Sequence, residues 1–238
     1  MKKMSYTCEN RVAKITLDDG KMNVMNWDFF RELDESLDKA QSDGAGALIL
    51  TGRPGVFSAG LDLKLLPTQS VTEQLRFQRE FAETMLRLYL FPIPTIAAYA
   101  GHAVAGGAIL SFACDRLVVG DGPYIIQINE VANKMVLPSW ITLICRSSIP
   151  QGYWKEALLH SRAYSPVEAF ERGIVDDLVP EGEDVLEAAG KVASRFLKLD
   201  GAAYAASKNN LRREEAAQAM NAFYKELVDW ILGGRGRS

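Results

Sequence analysis

GHAVAGGAILSFACD, residues 101–115, contains the features that decide the fold class. Together with the residues before it, this stretch forms a run at 95–114 without Asp, Glu, Lys or Arg. The run is long enough to cross a membrane, since a spanning helix needs about 20 apolar residues. However, His102 and the adjacent glycines Gly106 and Gly107 disfavour one continuous apolar helix. We therefore predict a buried strand, a tight glycine turn and a buried helix, and no membrane span.

The composition is typical of a globular domain with its own core. The chain has 238 residues, of which 48% are hydrophobic and 24% are charged, and its formal net charge is −3. A chain of this length can bury a sufficient core without disulfides or a structural metal. The slightly acidic balance argues against nucleic acid as the main partner.

The cysteines and the N-terminus indicate a cellular compartment. The three cysteines are widely spaced and form no CxxC pair. This spacing argues against a structural zinc site, and free thiols in apolar surroundings fit a reducing compartment. The first residues contain no apolar run typical of a signal peptide. We therefore predict a cytoplasmic protein without a metal site.

Strands and helices alternate through the first half of the chain, which predicts a layered α/β core. Ala13, Ile15 and Leu17 share one face of a predicted strand at 11–17. Further strands are predicted at 47–51, after Pro94, and in RLVVG and YIIQI, and helices are predicted from Asn26, after a capping box at Ser70, and at 106–113. Residues 52–62 are predicted to form a glycine-rich loop.

The last hundred residues are predicted to be mainly helical. A second capping box begins at Ser165, with Pro166 in the first helical position and Gly173 at the helix end. A short strand is predicted in IVDDLVP, and further helices at about 183–197, 202–213 and 215–231. This helical tail would pack on the core or on a neighbouring subunit.

Several common catalytic motifs are absent or incomplete. The chain has no GxxxxGK[ST] phosphate-binding loop. Val56 stands where a nucleophile elbow around Ser58 would need its first glycine. The GAG sequence at 44–46 precedes a predicted strand, whereas a dinucleotide-binding fingerprint follows one. Nucleotide binding through these motifs and serine nucleophilic catalysis are therefore disfavoured.

Two glycine-containing loops remain as candidate functional elements: GVFSAGLD at 55–62, and AVAGGA at 103–108. Each presents backbone N–H groups at the start of an element, and glycine lets a ligand approach because it has no Cβ. Two such donors that converge would stabilise a developing oxyanion. Either loop alone is more often only a turn, so the pair carries the functional signal.

The two loops together resemble a known family. FSAGLDLK at 57–64, followed by AGGAILSFACD at 105–115, is similar to the enoyl-CoA hydratase/isomerase (crotonase) superfamily. INEVANKMVLP at 128–138 and AYSPVEAFERGIVDDLVP at 163–180 resemble later segments of the same family. Most of residues 10–180 is covered in order, which makes the combination specific although no single piece is.

The resemblance implies a ββα spiral core at 1–195 that holds an acyl-CoA site, and a helical trimerisation region at 196–238. It implies a homotrimer or homohexamer that acts on acyl-coenzyme A thioesters. Coenzyme A is then part of the substrate, and no separate cofactor is expected. No nucleic-acid or membrane partner is expected either.

The resemblance also assigns candidate site residues. The backbone N–H groups of Leu61 and Gly106 would hold the thioester oxygen between them. The Ala59 carbonyl would meet the adenine amine of coenzyme A. Lys64 and Lys21 would pair with its phosphates.

The acid–base residues distinguish the reactions open to this family. Its hydratases carry two glutamates, and Ile109 occupies the position of the first. The second falls on Glu130 if one residue is inserted in 121–128, and on Asn129 otherwise. The Asn-Glu pair resembles the family's Δ3,Δ2-enoyl-CoA isomerases, which work with a single glutamate, and this favours Glu130. A pocket of apolar neighbours would raise its pKa; the candidates are Val131, Met135, Val136, Leu137 and Trp140.

We therefore predict an enzyme that converts 3-enoyl-CoA into the 2-enoyl isomer, with Glu130 as acid and base. A double-bond shift needs one base that takes a proton from C2 and returns it at C4, whereas hydration also needs an activated water. Enoyl-CoA hydration and thioester hydrolysis on the same site stay open as alternatives. An acyl-CoA-binding protein without activity is the alternative of another class.

Overall fold

Two sheets form the centre of the computed structural model, which describes residues 3–233. The strands are β1 (Met4–Glu9), β2 (Val12–Leu17), β3 (Ala47–Gly52), β4 (Gly55–Ser58), β5 (Thr95–Tyr99), β6 (Gly101–Val104), β7 (Arg116–Gly120), β8 (Ile126–Gln127) and β9 (Asp177–Val179). The larger sheet has the order β1-β2-β3-β5-β7-β9, and the smaller sheet has the order β4-β6-β8.

Helices cover and connect the two sheets, so the predicted α/β class is confirmed. They are α1 (Trp27–Ser42), α2 (Val71–Tyr89), α3 (Gly106–Phe112), α4 (Ser139–Ser148), α5 (Pro166–Glu171), α6 (Val185–Phe196) and α7 (Gly201–Gly233). Short 3₁₀ turns lie at Leu66–Thr68 and Gln151–Tyr153, and a single π-helical turn lies at Lys155–Leu159.

The strands pair in parallel throughout, except for β1 and β2, which form an antiparallel hairpin. The predicted buried face of β2 is confirmed, since Ala13, Ile15 and Leu17 are fully buried. Strand β1 was not among the predicted elements, although Met4, Tyr6 and Cys8 alternate with polar residues in its sequence MSYTCE. Asn10 and Arg11 turn this hairpin with φ of 50° and 63°, the geometry of a type I′ turn.

The predicted helix starts are confirmed by their hydrogen bonds. The Asn26 side chain accepts a bond of 3.1 Å from the Phe29 N–H at the start of α1. Ser70 forms the predicted reciprocal capping box before α2. Ser165 does the same before α5, with Pro166 in the first turn. These residues satisfy N–H groups that have no partner within the helix.

Two predictions about element boundaries are wrong. Residues 52–62 are not wholly loop, because 55–58 form β4 beside β6. The helices predicted at 202–213 and 215–231 are one helix, α7. No glycine or proline interrupts the sequence between its first and last residues, and the backbone hydrogen bonds therefore continue through the predicted break.

The uncharged run at 95–114 folds as β5, β6 and α3. The predicted strand and helix are confirmed, whereas the turn predicted at Gly101 is wrong, because a second strand, β6, begins there. In the part of the chain that the structure describes, no helix is long and apolar enough to cross a membrane. The cytoplasmic location stays a prediction.

Helix α7 is anchored to the core by a nearly buried ion cluster around Asp115. The Asp115 carboxylate accepts bonds of 2.7 Å from both Lys208 Nζ and Arg212 Nη1, and one of 2.8 Å from the Thr95 N–H. Lys208 is 5% exposed, and burial lowers its pKa although the charge of Asp115 opposes that shift. Helix α7 therefore packs on the core of its own chain, and the role of residues 196–238 in trimerisation stays a prediction.

We expect Asp115→Asn to lower the free energy of unfolding by about 3 kcal/mol, because it leaves two nearly buried cations without a counter-charge. Urea denaturation of the variant and the wild type measures this difference. The matched control is Glu187→Gln, which removes the exposed ion pair with Lys191 and is expected to leave the midpoint unchanged. Equal midpoints for the two variants would contradict the anchoring role of Asp115.

Candidate active site

The three segments predicted to form the site follow the three strands of the smaller sheet. Residues 59–61 follow β4, residues 105–106 follow β6, and residues 128–130 follow β8. All three strands run parallel, so their carboxyl ends lie at the same edge of the sheet. Ligands of parallel sheets bind at this edge. The chain thus brings both glycine loops and the glutamate segment together, although they are distant in sequence.

The Leu61 N–H points away from the backbone that holds its loop. Leu61 forms an isolated parallel bridge with Met25. The Met25 N–H donates to the Gly60 carbonyl and the Asp62 N–H donates to the Met25 carbonyl, both at 2.9 Å. The residue between two such bonds directs its own N–H to the other side. Among the described residues this N–H has no partner, so it can donate to a ligand.

The Gly106 N–H lies beside the same loop. Gly106 is the first residue of α3, and its N–H has no acceptor within the helix. A Cβ on Gly60 would lie 2.7 Å from the Gly106 nitrogen, and a Cβ on Gly106 would lie 3.2 Å from the Gly60 Cα. The two loops therefore touch, with two backbone donors on adjoining segments. Such a pair can stabilise an oxyanion.

Ala105 holds this turn in a strained backbone conformation. Its φ is 50° and its ψ is −125°, a region that is costly for a residue with a Cβ. Its own N–H donates to the Gln127 carbonyl at 2.8 Å, which ties the turn to β8. Because Ala105 precedes Gly106, its backbone conformation sets the direction of the Gly106 N–H. The strained residue is therefore the one that orients this donor.

Asn23 and Ser58 fix the first glycine loop, a role that was not predicted from the sequence. The buried Asn23 amide donates to the Leu17 and Phe57 carbonyls, each at 3.0 Å. The Ser58 hydroxyl donates to the Asn23 carbonyl at 2.7 Å and accepts from the Gly60 N–H at 3.1 Å. These bonds hold Gly60, and through it the Leu61 N–H. Little in the sequence predicts this role, since Asn23 and Ser58 are single polar residues in two separate segments.

Glu130 is a buried carboxylic acid in the turn that follows β8. The residue is 6% exposed, and its carbonyl accepts from the Met135 N–H at 2.8 Å. Burial raises the pKa of the carboxyl, and bonds from its own N–H and that of Asn129 partly oppose this shift. Within the described residues its Oε2 is buried without a hydrogen-bond partner. A buried carboxylate oxygen without a partner costs free energy and is suited to accept a proton.

The alternative position, Asn129, offers an amide that does not titrate. Its side-chain Oδ1 is also buried without a partner in the described chain. Its carbonyl accepts bonds from the Asn133 backbone and side chain, at 3.0 and 2.9 Å. Of the two candidates, only Glu130 can exchange a proton at this place.

Cys145 adds to the apolar setting of Glu130, and Ile109 occupies the helix position where a second acid was sought. The thiol of Cys145 on α4 is fully buried, and burial together with the nearby Glu130 charge raises its pKa well above the ordinary value. Cys145 is therefore an uncharged neighbour. Ile109 is fully buried one turn into α3 and brings no carboxylate to the site. Asp62 and Asp121, the other carboxylates considered for that role, each accept a bond from a backbone N–H of their own loop.

Aromatic side chains and a methionine form the apolar wall beside Gly106. A Cβ on Gly106 would lie 3.1 Å from Met25 Sδ and 3.3 Å from Phe81 Cζ. The fully buried Trp140 packs edge-on against Phe81, with ring centroids 4.8 Å apart. Of the predicted pocket residues, Met135 and Leu137 are half-buried. The prediction is wrong for Val131 and Val136, which are 40% and 83% exposed.

The predicted coenzyme A contacts lie at the surface around the first loop. Ala59 is half-buried, and its N–H donates to the Met22 carbonyl at 3.0 Å. Lys21 and Lys64 are exposed, and neither forms an ion pair among the described residues. Two exposed cations near one loop can bind an anionic ligand. The assignments of Ala59, Lys21 and Lys64 to coenzyme A binding stay predictions.

A separate polar cavity of about 230 Å³ lies at the other end of α3, with Cys114, Asp115 and Arg212 in its lining. It belongs to the ion cluster that anchors α7. Within residues 3–233 no group of three or more His, Cys, Asp or Glu side chains could hold a metal ion.

Comparison with known proteins agrees with this geometry. The model of the enoyl-CoA hydratase/isomerase family matches residues 7–228. The chain belongs to this family. The predicted family resemblance is therefore confirmed, and with it the crotonase-like fold.

Family members with different names are similar to this chain. Human mitochondrial enoyl-CoA delta isomerase 1 is 30% identical over 92% of this chain and 74% of the human protein. A putative enoyl-CoA hydratase of Thermus thermophilus is 34% identical over 80% of this chain and 76% of its own. The crystal structure of human mitochondrial Δ3-Δ2-enoyl-CoA isomerase superposes with a TM-score of 0.87 at 28% identity, covering 94% of this chain and 92% of the other. The relatives named isomerase and hydratase belong to the same family but are named for different reactions, so the comparison does not identify the reaction of this chain.

Proposed function

We propose that this protein shifts the double bond of 3-enoyl-CoA thioesters to give the 2-enoyl isomers. The observation that carries the proposal is a single buried carboxylate, Glu130, with one oxygen lacking a partner among the described residues, at the sheet edge that also holds the Leu61 and Gly106 N–H groups. The position of a second acid in the family's hydratases is filled by Ile109.

The reaction needs one proton to leave and one to return. Ionised Glu130 takes a proton from C2, and the C2–H electrons form an enolate whose charge gathers on the thioester oxygen. The Leu61 and Gly106 N–H groups donate to that oxygen. The enolate then reforms its carbonyl, the double bond moves from C3–C4 to C2–C3, and C4 takes the proton back from Glu130. Atoms and charge balance without a co-reactant.

The magnitudes of the two effects are sufficient for catalysis. A positioned general acid or base contributes about 10²–10⁴-fold in rate. An oxyanion donor contributes about 10²–10³-fold, because it is already oriented when charge develops. The buried setting of Glu130 favours its role as the base, since burial raises the pKa of the carboxyl.

The substrate and assembly complete the proposal. The Ala59 carbonyl would bind the adenine amine, and the exposed Lys64 and Lys21 would bind the coenzyme A phosphates. No cofactor beyond the substrate thioester is required. The assembly is a homotrimer or a homohexamer, in which residues 196–238 would contribute to the trimer contacts.

Enoyl-CoA hydration is the second candidate, favoured by the name of the Thermus thermophilus relative. Hydration needs a held water and, in this family, two proton-transfer groups, whereas Glu130 is the single acid assigned here.

The decisive experiment is a panel of 3-enoyl-CoA, 2-enoyl-CoA and saturated acyl-CoA substrates. Isomerisation much faster than hydration is the expected result. Equal rates would refute the one-carboxylate argument, release of free coenzyme A would indicate a hydrolase, and binding without turnover would indicate a non-catalytic acyl-CoA-binding protein.

We expect kcat/KM for isomerisation to fall as the pH is lowered. The fall should occur at a higher pH than it would if the base were a glutamate with an ordinary pKa. Only ionised Glu130 can remove the C2 proton, and burial raises its pKa. Activity is therefore present above this raised pKa and is lost as the pH falls through it. A pH–rate profile of the free enzyme measures the shift. A profile that is flat down to the ordinary glutamate range would contradict the role of a desolvated base.

A further inference from the structure

Ser161 lies in a buried and strained position next to the Glu130 turn. It is 8% exposed, and its φ is 51°. It follows the π-helical turn at 155–159, which the bond from the His160 N–H to the Lys155 carbonyl closes at 3.0 Å. Single π turns and non-glycine residues with positive φ are uncommon, and both concentrate at functional sites.

Ser161 bonds to the chain on both sides of Glu130. Its carbonyl accepts from Gln127 Nε2 at 2.7 Å, three residues before the glutamate. Its hydroxyl accepts from the Ala132 N–H at 3.2 Å, two residues after it. The segment continues into an antiparallel bridge in which Ile126 and Tyr164 exchange backbone bonds of 2.9 and 3.0 Å. The start and the end of the turn are thereby held by one short segment.

We propose that Ser161 is a positioning residue that holds the Glu130 turn in register with the two backbone donors. The inference rests on the proposed isomerase function. The serine carbonyl would accept the Gln127 bond whatever the side chain, so the hydroxyl is the specific contribution of Ser161. A glycine at this position would adopt the positive φ without steric cost. The hydroxyl bond to Ala132 is what a glycine would lack.

Two substitutions separate the hydroxyl from the backbone strain. Ser161→Gly removes the hydroxyl and relieves the positive-φ cost, whereas Ser161→Ala removes the hydroxyl and keeps that cost. We expect both variants to lower kcat about tenfold with little change in KM, because a shift of the base slows proton transfer without weakening substrate binding. We expect the glycine variant to have the higher Tm of the two. Activity then follows the hydroxyl while stability follows the backbone.

The control is Ser148→Ala, which removes another serine bond to backbone, from the Ser148 hydroxyl to the Phe112 carbonyl at 3.1 Å. Ser148 lines the polar cavity at the other end of α3, so its variant is expected to keep full kcat.

A double-mutant cycle with Glu130→Gln decides whether Ser161 acts through the glutamate. In the Gln background, Ser161→Gly is expected to leave the residual rate unchanged, because there is no base left to position. An equal tenfold loss in both backgrounds would overturn the proposal, as would wild-type kcat in both Ser161 variants. If Glu130→Gln itself keeps full activity, or the wild type isomerises no substrate, the proposed function fails and this inference fails with it.

Discussion

Glu130→Gln is expected to reduce the rate of 3-enoyl-CoA isomerisation by about 10²–10⁴-fold. The amide has nearly the shape of the carboxyl, so it fills the same buried space, but it can neither accept the C2 proton nor return one at C4. The loss should appear in kcat with KM nearly unchanged. Stopped assays with 3-enoyl-CoA, with the product resolved by chromatography, measure it.

The same substitution should not destabilise the fold. The raised pKa of Glu130 means that the folded state disfavours the ionised form. At neutral pH an ionised Glu130 therefore costs stability that a neutral Gln does not. We expect the Tm of the variant to equal or exceed that of the wild type, which separates loss of catalysis from loss of folding.

A second carboxyl provides the control for Glu130→Gln. Burial also raises the pKa of Asp176, which accepts a bond from the Leu117 N–H at 2.8 Å in the polar cavity near Asp115. Asp176→Asn is expected to retain full isomerase activity. Full activity in Glu130→Gln, or an equal loss in Asp176→Asn, would remove Glu130 from the mechanism.

Gly60→Ala is expected to lower kcat/KM by about 10²-fold, because it disturbs an oxyanion donor without touching any ionisable group. The added Cβ would lie 2.7 Å from the Gly106 nitrogen, which is closer than packed atoms allow, and the Gly60 φ of 82° disfavours any side chain. The two glycine loops must then separate, so the Leu61 and Gly106 N–H groups, the proposed oxyanion donors, would move apart. Steady-state kinetics on the 3-enoyl-CoA substrate measure the effect.

Gly55→Ala is the matched control for this steric argument. Gly55 has nearly the same φ, 83°, but a Cβ there would meet nothing within 4 Å. Both variants share the cost of a side chain at positive φ, and only Gly60→Ala adds the clash. We expect Gly55→Ala to keep its activity. An equal loss in both variants would attribute the effect to backbone strain and not to the oxyanion donors.

Much of the local structure was predictable because it depends on neighbours in sequence. The caps at Asn26, Ser70 and Ser165 each rest on contacts within three residues, and all three are confirmed. Two other elements were not predicted correctly: a break was predicted within α7, and β1 was not predicted. The helix continues because no glycine or proline interrupts it, and β1 pairs with β2 along its whole length.

The candidate site was only partly predictable. The residue types in the two glycine loops and the apolar residue at 109 were visible, and with them the likeness to the family. Asn23 and Ser58 were missed, because their bonds join segments separated by more than thirty residues. Ser161 was missed for the same reason, since its partner Ala132 is 29 residues away.

By itself, the sequence determined the family, the alternation of strands and helices, and the inventory of groups available for chemistry. These follow from residue type and short spacing. Only the tertiary structure decided that Leu61, Gly106 and Glu130 follow three parallel strands at one sheet edge, and that the Glu130 carboxyl is buried with an oxygen lacking a partner among the described residues. Those properties depend on strand register and on the packing of distant segments, because desolvation and close approach arise only when the whole chain has folded.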